Sequence, residues 1–264
     1  PVGYQDARLL TMSLITTEVR DRVGILTLND PDHRNAITLA MNDEIGAVLD
    51  DWEVDDGIGA LVLTGAGRGF CAGADLDDLM AGSNAAEMKA IYDGFLRIAH
   101  TPLPTVGAVN GAAVGAGMNM VLACDIAIAG RDYAKFDSRF LQIGIHPGGG
   151  HTWRLRSIAN RSTTMAMVVF NQILRADRAK DVGLIWEVVD DADLIDEAVA
   201  LAAVAAGQAK ELNARTKASI LTLDTIVESN QAVDHEVHPQ LWSMSQPTFR
   251  TLVESLQKNI SSKE

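Results

Sequence analysis

Apolar residues fall in short runs and at helical spacings that alternate along most of the chain. Residues 14–19 and 23–28 are rich in Ile, Val, Leu and Thr and are separated by Arg20-Asp21-Arg22, which predicts a β-hairpin. After a polar turn at 30–35, Met41, Ile45, Val48, Leu49 and Trp52 recur at helical spacing with Thr38 placed as N-cap, giving a helix of about four turns. Compact β-branched runs follow at 58–64, 105–109 and 125–129, with helical segments between them. One of these, 91–99, stops before Thr101-Pro102-Leu103-Pro104, where each proline removes a donor and biases its predecessor away from the α region. From about Asp190 only helices are predicted, over 194–206, 209–228 and 240–260. Strands alternating with helices indicate an α/β fold of βα units. The expected organisation is a core over 14–195 and a helical region over 196–264, packed together because no low-complexity linker separates them.

Composition narrows the function classes. At 264 residues, 47% hydrophobic and 22% charged, the chain has enough apolar material for one sizeable core, which argues against disorder. A net charge of -13 opposes non-specific binding to nucleic acid or to anionic membranes, so neither partner is expected and an anionic ligand needs a local site. Two cysteines, Cys71 and Cys124, allow neither a disulfide framework nor a Cys-rich zinc site, and the reading is a cytoplasmic protein. Apolar stretches fall short of the roughly 20 residues of a membrane span, and residues 1–12 lack the features of a signal peptide. Gly65-Ala66-Gly67-Arg68-Gly69 follows a predicted strand, but a dinucleotide fingerprint needs its third glycine where Phe70 stands. Phosphate-loop, nucleophile-elbow and zinc-protease motifs are missing, and His235-Glu236-Val237-His238 reads as a solvated helical face, so no metal is expected.

Two glycine-rich segments carry the candidate chemistry. Residues 69–76 and 110–117 each follow a predicted strand, and Gly115 to Gly117 would open a helix toward Ala123, aiming free N–H groups at a bound oxyanion. Alone, either segment could be a tight strand-to-helix turn. Facing each other, they make an oxyanion hole.

Together with Arg34-Asn35-Ala36 and Pro147-Gly148-Gly149-Gly150, these segments resemble the crotonase family, also called the enoyl-CoA hydratase/isomerase superfamily, over roughly residues 14–260. The resemblance implies a core of repeated ββα turns, a C-terminal all-helical trimerisation subdomain, a homotrimer or dimer of trimers, and a coenzyme A thioester of fatty acid metabolism as substrate, with no further cofactor. It makes the amides of Ala74 and Ala116 the donors to the thioester oxygen, and sets Arg34, Ala36, Ala72, Ala74 and Leu76 against the CoA moiety. Arg34 is a candidate phosphate partner, or equally a solvated turn residue.

The same alignment exposes departures. Hydratases of the family use two glutamates to handle one water, and here those positions hold Asn119 and Phe140, neither of which can carry a proton. Crotonyl-CoA hydration is therefore expected to be very slow or absent. Replacement bases near the Pro-Gly turn are His146 and His151, with His151 favoured because Gly148 to Gly150 permit close approach; each could instead satisfy a nearby backbone carbonyl. Asp137 is a further candidate, with surface exposure or helix capping as its plainer role, while Cys71, Cys124 and Asp125 read as structural. Isomerisation, decarboxylation and thioester hydrolysis all fit an enzyme with this oxyanion hole. The alternative is a non-catalytic acyl-CoA-binding paralogue.

Overall fold

The computed structural model describes residues 13–261; the signal-peptide reading of 1–12 and the end of the helical region, 262–264, lie outside the described residues. Strands β1 (Ile15–Arg20) and β2 (Val23–Leu28) pair antiparallel across Asp21 and Arg22, both at positive φ (49° and 63°), a turn whose twist suits a hairpin. Parallel strands β3 (Ala60–Gly65) and β4 (Thr105–Val109) continue this sheet. A second layer contains β5 (Ala112–Val114). Next come β6 (Ile126–Gly130) in the large sheet, β7 (Lys135–Asp137) and β8 (Leu174–Arg175) in the second, and β9 (Glu187–Val189) at the far edge of the first. The orders are β1-β2-β3-β4-β6-β9 and β5-β7-β8. Single bridges, Ile37 to Ala74 and Cys71 to Ala113, extend the second layer to earlier turns of the chain.

Each turn thus gives one strand to the large sheet, one short strand or bridge to the second layer, and then a helix, which is the repeated ββα pattern. The helices are α1 (Leu39–Val54), α2 (Leu76–Ala81), α3 (Ala85–His100), α4 (Ala116–Ala123) and α5 (His151–Val168), followed by the short α6 (Ala176–Asp181). Thr38 caps α1, its hydroxyl accepting from Met41 N at 3.1 Å, and Met41, Ile45, Leu49 and Trp52 are buried. Helix α3 starts six residues before the predicted Ile91, because the Asn84 side chain accepts from Ala86 N and Glu87 N at 3.0 and 3.1 Å. Asp125 is turned out of β6 to accept from Thr105 N (2.8 Å) and to pair with Lys217 (2.9 Å).

Both faces of the large sheet are covered, so its strands read as continuous apolar runs; every residue of β3 is buried. One face packs Leu26, Leu28, Leu61 and Leu63 with residues of α1 and α3. The other packs Val23, Ile25, Ala60, Val62 and Ala108 against α7 (Leu194–Ala206), which buries Leu194, Ala198, Val199, Ala202 and Ala206. A division at 195/196 would strip α7 from the sheet it covers; helices that leave the sheet begin after Ala206. These are α8 (Lys210–Leu223), α9 (Ser229–Ser245) and α10 (Pro247–Ser261). The helix predicted over 209–228 ends at Leu223, and the segment predicted over 240–260 is two helices. Gln246 is extended (ψ 142°) and Pro247 opens α10, a position proline tolerates because its missing N–H is not needed there. Among the described residues no helix is long and apolar enough to cross a membrane.

Candidate active site

Two strand ends and one helix start converge on a pair of free amides. Segments 71–74 and 112–117 are joined by bonds from Cys71 N to Ala112 O (3.1 Å) and from Val114 N to Cys71 O (3.0 Å). On its other side, segment 73–75 pairs with Ile37: Ile37 N donates to Gly73 O and Asp75 N to Ile37 O, both at 2.8 Å. Alternation along an extended chain turns the Ala74 N–H the opposite way, and it has no partner among the described residues. Ala116 is the first residue of α4, where helix geometry leaves the N–H unpaired and no side chain caps it. Glycine makes this approach possible. Gly73 sits at φ +121°, and a Cβ there would stand 3.2 Å from Val114 O and 4.0 Å from Ala116 N; one on Gly117 would strike Cys71 O at 2.2 Å. The helix dipole of α4 adds positive potential at the same point.

The neighbouring glycines are structural. Asn35, fully buried at φ 56°, donates from Nδ2 to Ala66 O and Gly69 O (3.0 and 2.9 Å), and Asn110 Nδ2 donates to Gly65 O (2.8 Å). These two asparagines shape the loop that resembled a dinucleotide fingerprint. Nothing in the periodicity of the chain marks them.

The amides open into a cleft of about 800 Å³ whose walls include Arg34, Ala36, Ala72, Ala74, Leu76, Ala116, Asn119, Phe140 and His146. Arg34, in the left-handed region at φ 56°, holds its loop through its carbonyl, which accepts from Ala72 N at 3.0 Å, and the residue lines the cleft. His33 and Asp32 lie beside it; Asp30, 2.9 Å from His33 Nδ1, holds that imidazole above its ordinary pKa. Tyr92 and Arg139 also face the cleft, and sequence reasoning missed both. Tyr92 comes from the apolar face of α3, where burial pushes its phenol pKa up. Arg139 follows the buried Asp137, whose Oδ2 accepts from Arg139 Nε at 2.9 Å. Asp137 is thus committed to an ion pair and is not a wall residue of the cleft.

His151, like Asp137, is not a wall residue of the cleft. As the first residue of α5 it is buried behind Asn119, with Nδ1 2.8 Å from Asn119 Oδ1 and Nε2 2.8 Å from Ser138 Oγ. The edge of Phe140 packs on its ring at 4.8 Å. Burial pushes its pKa down to about 4, so it is neutral at physiological pH. Gly148 of the glycine run lines the cleft, but the His151 ring is held by Asn119 and Ser138 away from its wall. His146 does reach the cleft. Its Nδ1 stands 2.7 Å from Pro147 O, an obligate acceptor, so in the neutral ring Nε2 carries the free lone pair. Cys71 is buried, and burial pushes its thiol up to about 12, consistent with packing.

Comparison with known proteins places this arrangement in context. The family model described as Enoyl-CoA hydratase/isomerase matches residues 18–258. A Mycobacterium tuberculosis protein named "Probable enoyl-CoA hydratase EchA14" is 40% identical over 244 residues, covering 89% of this chain and 94% of that protein. An Escherichia coli protein named 1,2-epoxyphenylacetyl-CoA isomerase is 40% identical over 198 residues, covering 72% of this chain and 75% of its own. Among solved structures, an enoyl-CoA hydratase from Mycobacterium smegmatis superposes with a TM-score of 0.86 at 26% identity, covering 94% of this chain and 97% of the other.

Proposed function

Because the chain belongs to the enoyl-CoA hydratase/isomerase family, we propose that it binds an acyl-CoA thioester with the carbonyl oxygen on the Ala74 and Ala116 amides, and shifts a proton on the acyl group rather than adding water. The observation that carries this reading is the pair of N–H groups, of Ala74 and Ala116, that line one cleft with no partner among the described residues. When a base takes the proton next to the thioester carbonyl, the C–H electron pair moves into the C–C bond and negative charge grows on the thioester oxygen. Two fixed donors favour that charge over the neutral ground state, an effect worth several kcal/mol in a water-poor site. His146, with Nε2 free to accept, is the base this reading assigns; Arg34 in the cleft wall suits a CoA phosphate, with Ala36, Ala72 and Leu76 against the rest of the CoA moiety. The E. coli relative bears the name of an isomerase, a reaction type that adds no water to its product.

Asn119 and Phe140 favour a second reading, an acyl-CoA-binding protein without turnover, since no carboxylate stands at either place. One experiment separates the two. Butyryl-CoA is incubated with the protein in deuterium oxide and followed by mass spectrometry, with crotonyl-CoA hydration measured in parallel. The expected result is deuterium beside the thioester carbonyl and hydration close to background. Ala116→Pro, which keeps α4 because proline is tolerated at its first position, should lower exchange by about 10²–10³-fold. Rapid hydration of crotonyl-CoA would overturn the proton-shift reading. Tight binding with no exchange from any of butyryl-, enoyl- or malonyl-CoA would establish the second.

A further inference from the structure

Behind the cleft wall, Ser138, His151 and Asn119 form a buried chain in which every donor and acceptor is determined. The Gly148 carbonyl can only accept, so the Asn119 atom 3.2 Å away is Nδ2, and the atom 2.8 Å from His151 Nδ1 is the carboxamide oxygen. That oxygen can only accept, so Nδ1 carries the imidazole proton. Nε2 is then the acceptor, and Ser138 Oγ, at 2.8 Å, donates to it. Asn119, Ser138 and His151 are 2%, 1% and 1% exposed, so the chain has no competing water shell.

One group is left over. Asn119 lines the cleft, its oxygen is engaged by His151, and of the two protons on Nδ2 one goes to Gly148 O; the second has no partner among the described residues. We propose that Ser138 and His151 are positioning residues that fix Asn119 as a hydrogen-bond donor to the acyl group, selecting acyl-CoA esters that carry an oxygen on the third acyl carbon. The proposal rests on the acyl-CoA reading above. Asn119 follows Ala116 by three positions on α4, so the two lie on one helical face with Cβ atoms about 5–6 Å apart. A thioester oxygen held at the Ala116 amide and an oxygen two carbons further along the same acyl chain match such a pair of donors. A plain acyl chain would leave a desolvated N–H unpaired, a cost that an acceptor oxygen removes.

The test is calorimetric binding of acetoacetyl-CoA and butyryl-CoA, equal in chain length and differing in the 3-oxygen. The unmodified protein should prefer acetoacetyl-CoA by about 3–10-fold, the range for one neutral hydrogen bond. His151→Leu and the smaller change Ser138→Ala should bring the ratio toward one. His151→Asn, whose side-chain N–H can stand where Nδ1 stands, should restore it. A general loosening of the fold would weaken both esters alike and leave the ratio unmoved. Equal affinity of the unmodified protein for both esters overturns the inference while leaving the acyl-CoA reading intact, as does a ratio kept in both His151→Leu and Ser138→Ala. Failure of both esters to bind the unmodified protein overturns both.

Discussion

A neutral imidazole sealed between a carboxamide and a hydroxyl ties folding to pH. His151 has a pKa of about 4 in the fold, against about 6.5 in an unfolded chain. Between those values the unfolded chain binds a proton that the folded one refuses. Its contribution is therefore full above about pH 6.5 and is lost as pH falls toward 4, by up to about 3 kcal/mol. Urea unfolding at pH 7.5 and 4.5 checks this: the unmodified protein should lose about 2–3 kcal/mol more across that interval than His151→Asn, which has nothing to protonate. Equal losses would show that the ring does not titrate on unfolding as its burial requires. At this scale the sequence was legible in part. The candidate residues Ala74, Ala116, Asn119, Phe140 and His146 share one cleft. His146 lines that cleft and His151 does not, because a run of glycines next to a side chain says that backbone can come close but not which side of the wall the side chain occupies.

Among the elements, the C-terminal helices leave an uncovered apolar surface. No residue of α8 or α9 is buried, and α10 carries Phe249, Leu252, Leu256 and Ile260 on one stripe, 39–65% exposed. Trp242 of α9 is covered by the Arg215 guanidinium at 4.2 Å from its ring. An apolar stripe of this length is costly in water, and self-association is the expected consequence. Light scattering should give a mass above that of one chain, and Leu252→Lys combined with Leu256→Lys should lower it. A concentration-independent monomer would contradict the expectation. The break at Gln246-Pro247 was hidden from the sequence pattern because α9 has no apolar stripe whose end could mark it, whereas the proline signals at Pro102 and Pro104 stood beside a strongly amphipathic α3.

Over the whole molecule, two packed faces of one sheet account for most of the core, and both cysteines lie inside it. Burial pushes each thiol up to about 12, so a thiol-specific disulfide reagent should modify neither in the folded protein and both in denaturant. Prompt reaction of one thiol in the native state would show that the core opens around it. The alternation of apolar runs with helical spacings determined the α/β class and most element positions, because the periods of strand and helix are local properties of the chain. Ordered motifs determined the family and pointed to the two segments that meet at the cleft, since close backbone approach favours glycine at residues 73 and 117 and a positive φ favours it at 115. Only the tertiary structure decided the assignment of α7 to the sheet, the pairing of Asp125 with Lys217, and the hydrogen bonds of His151 to Asn119 and Ser138. Each depends on which side chain lies across a contact between distant segments, and spacing within one segment carries no information about that.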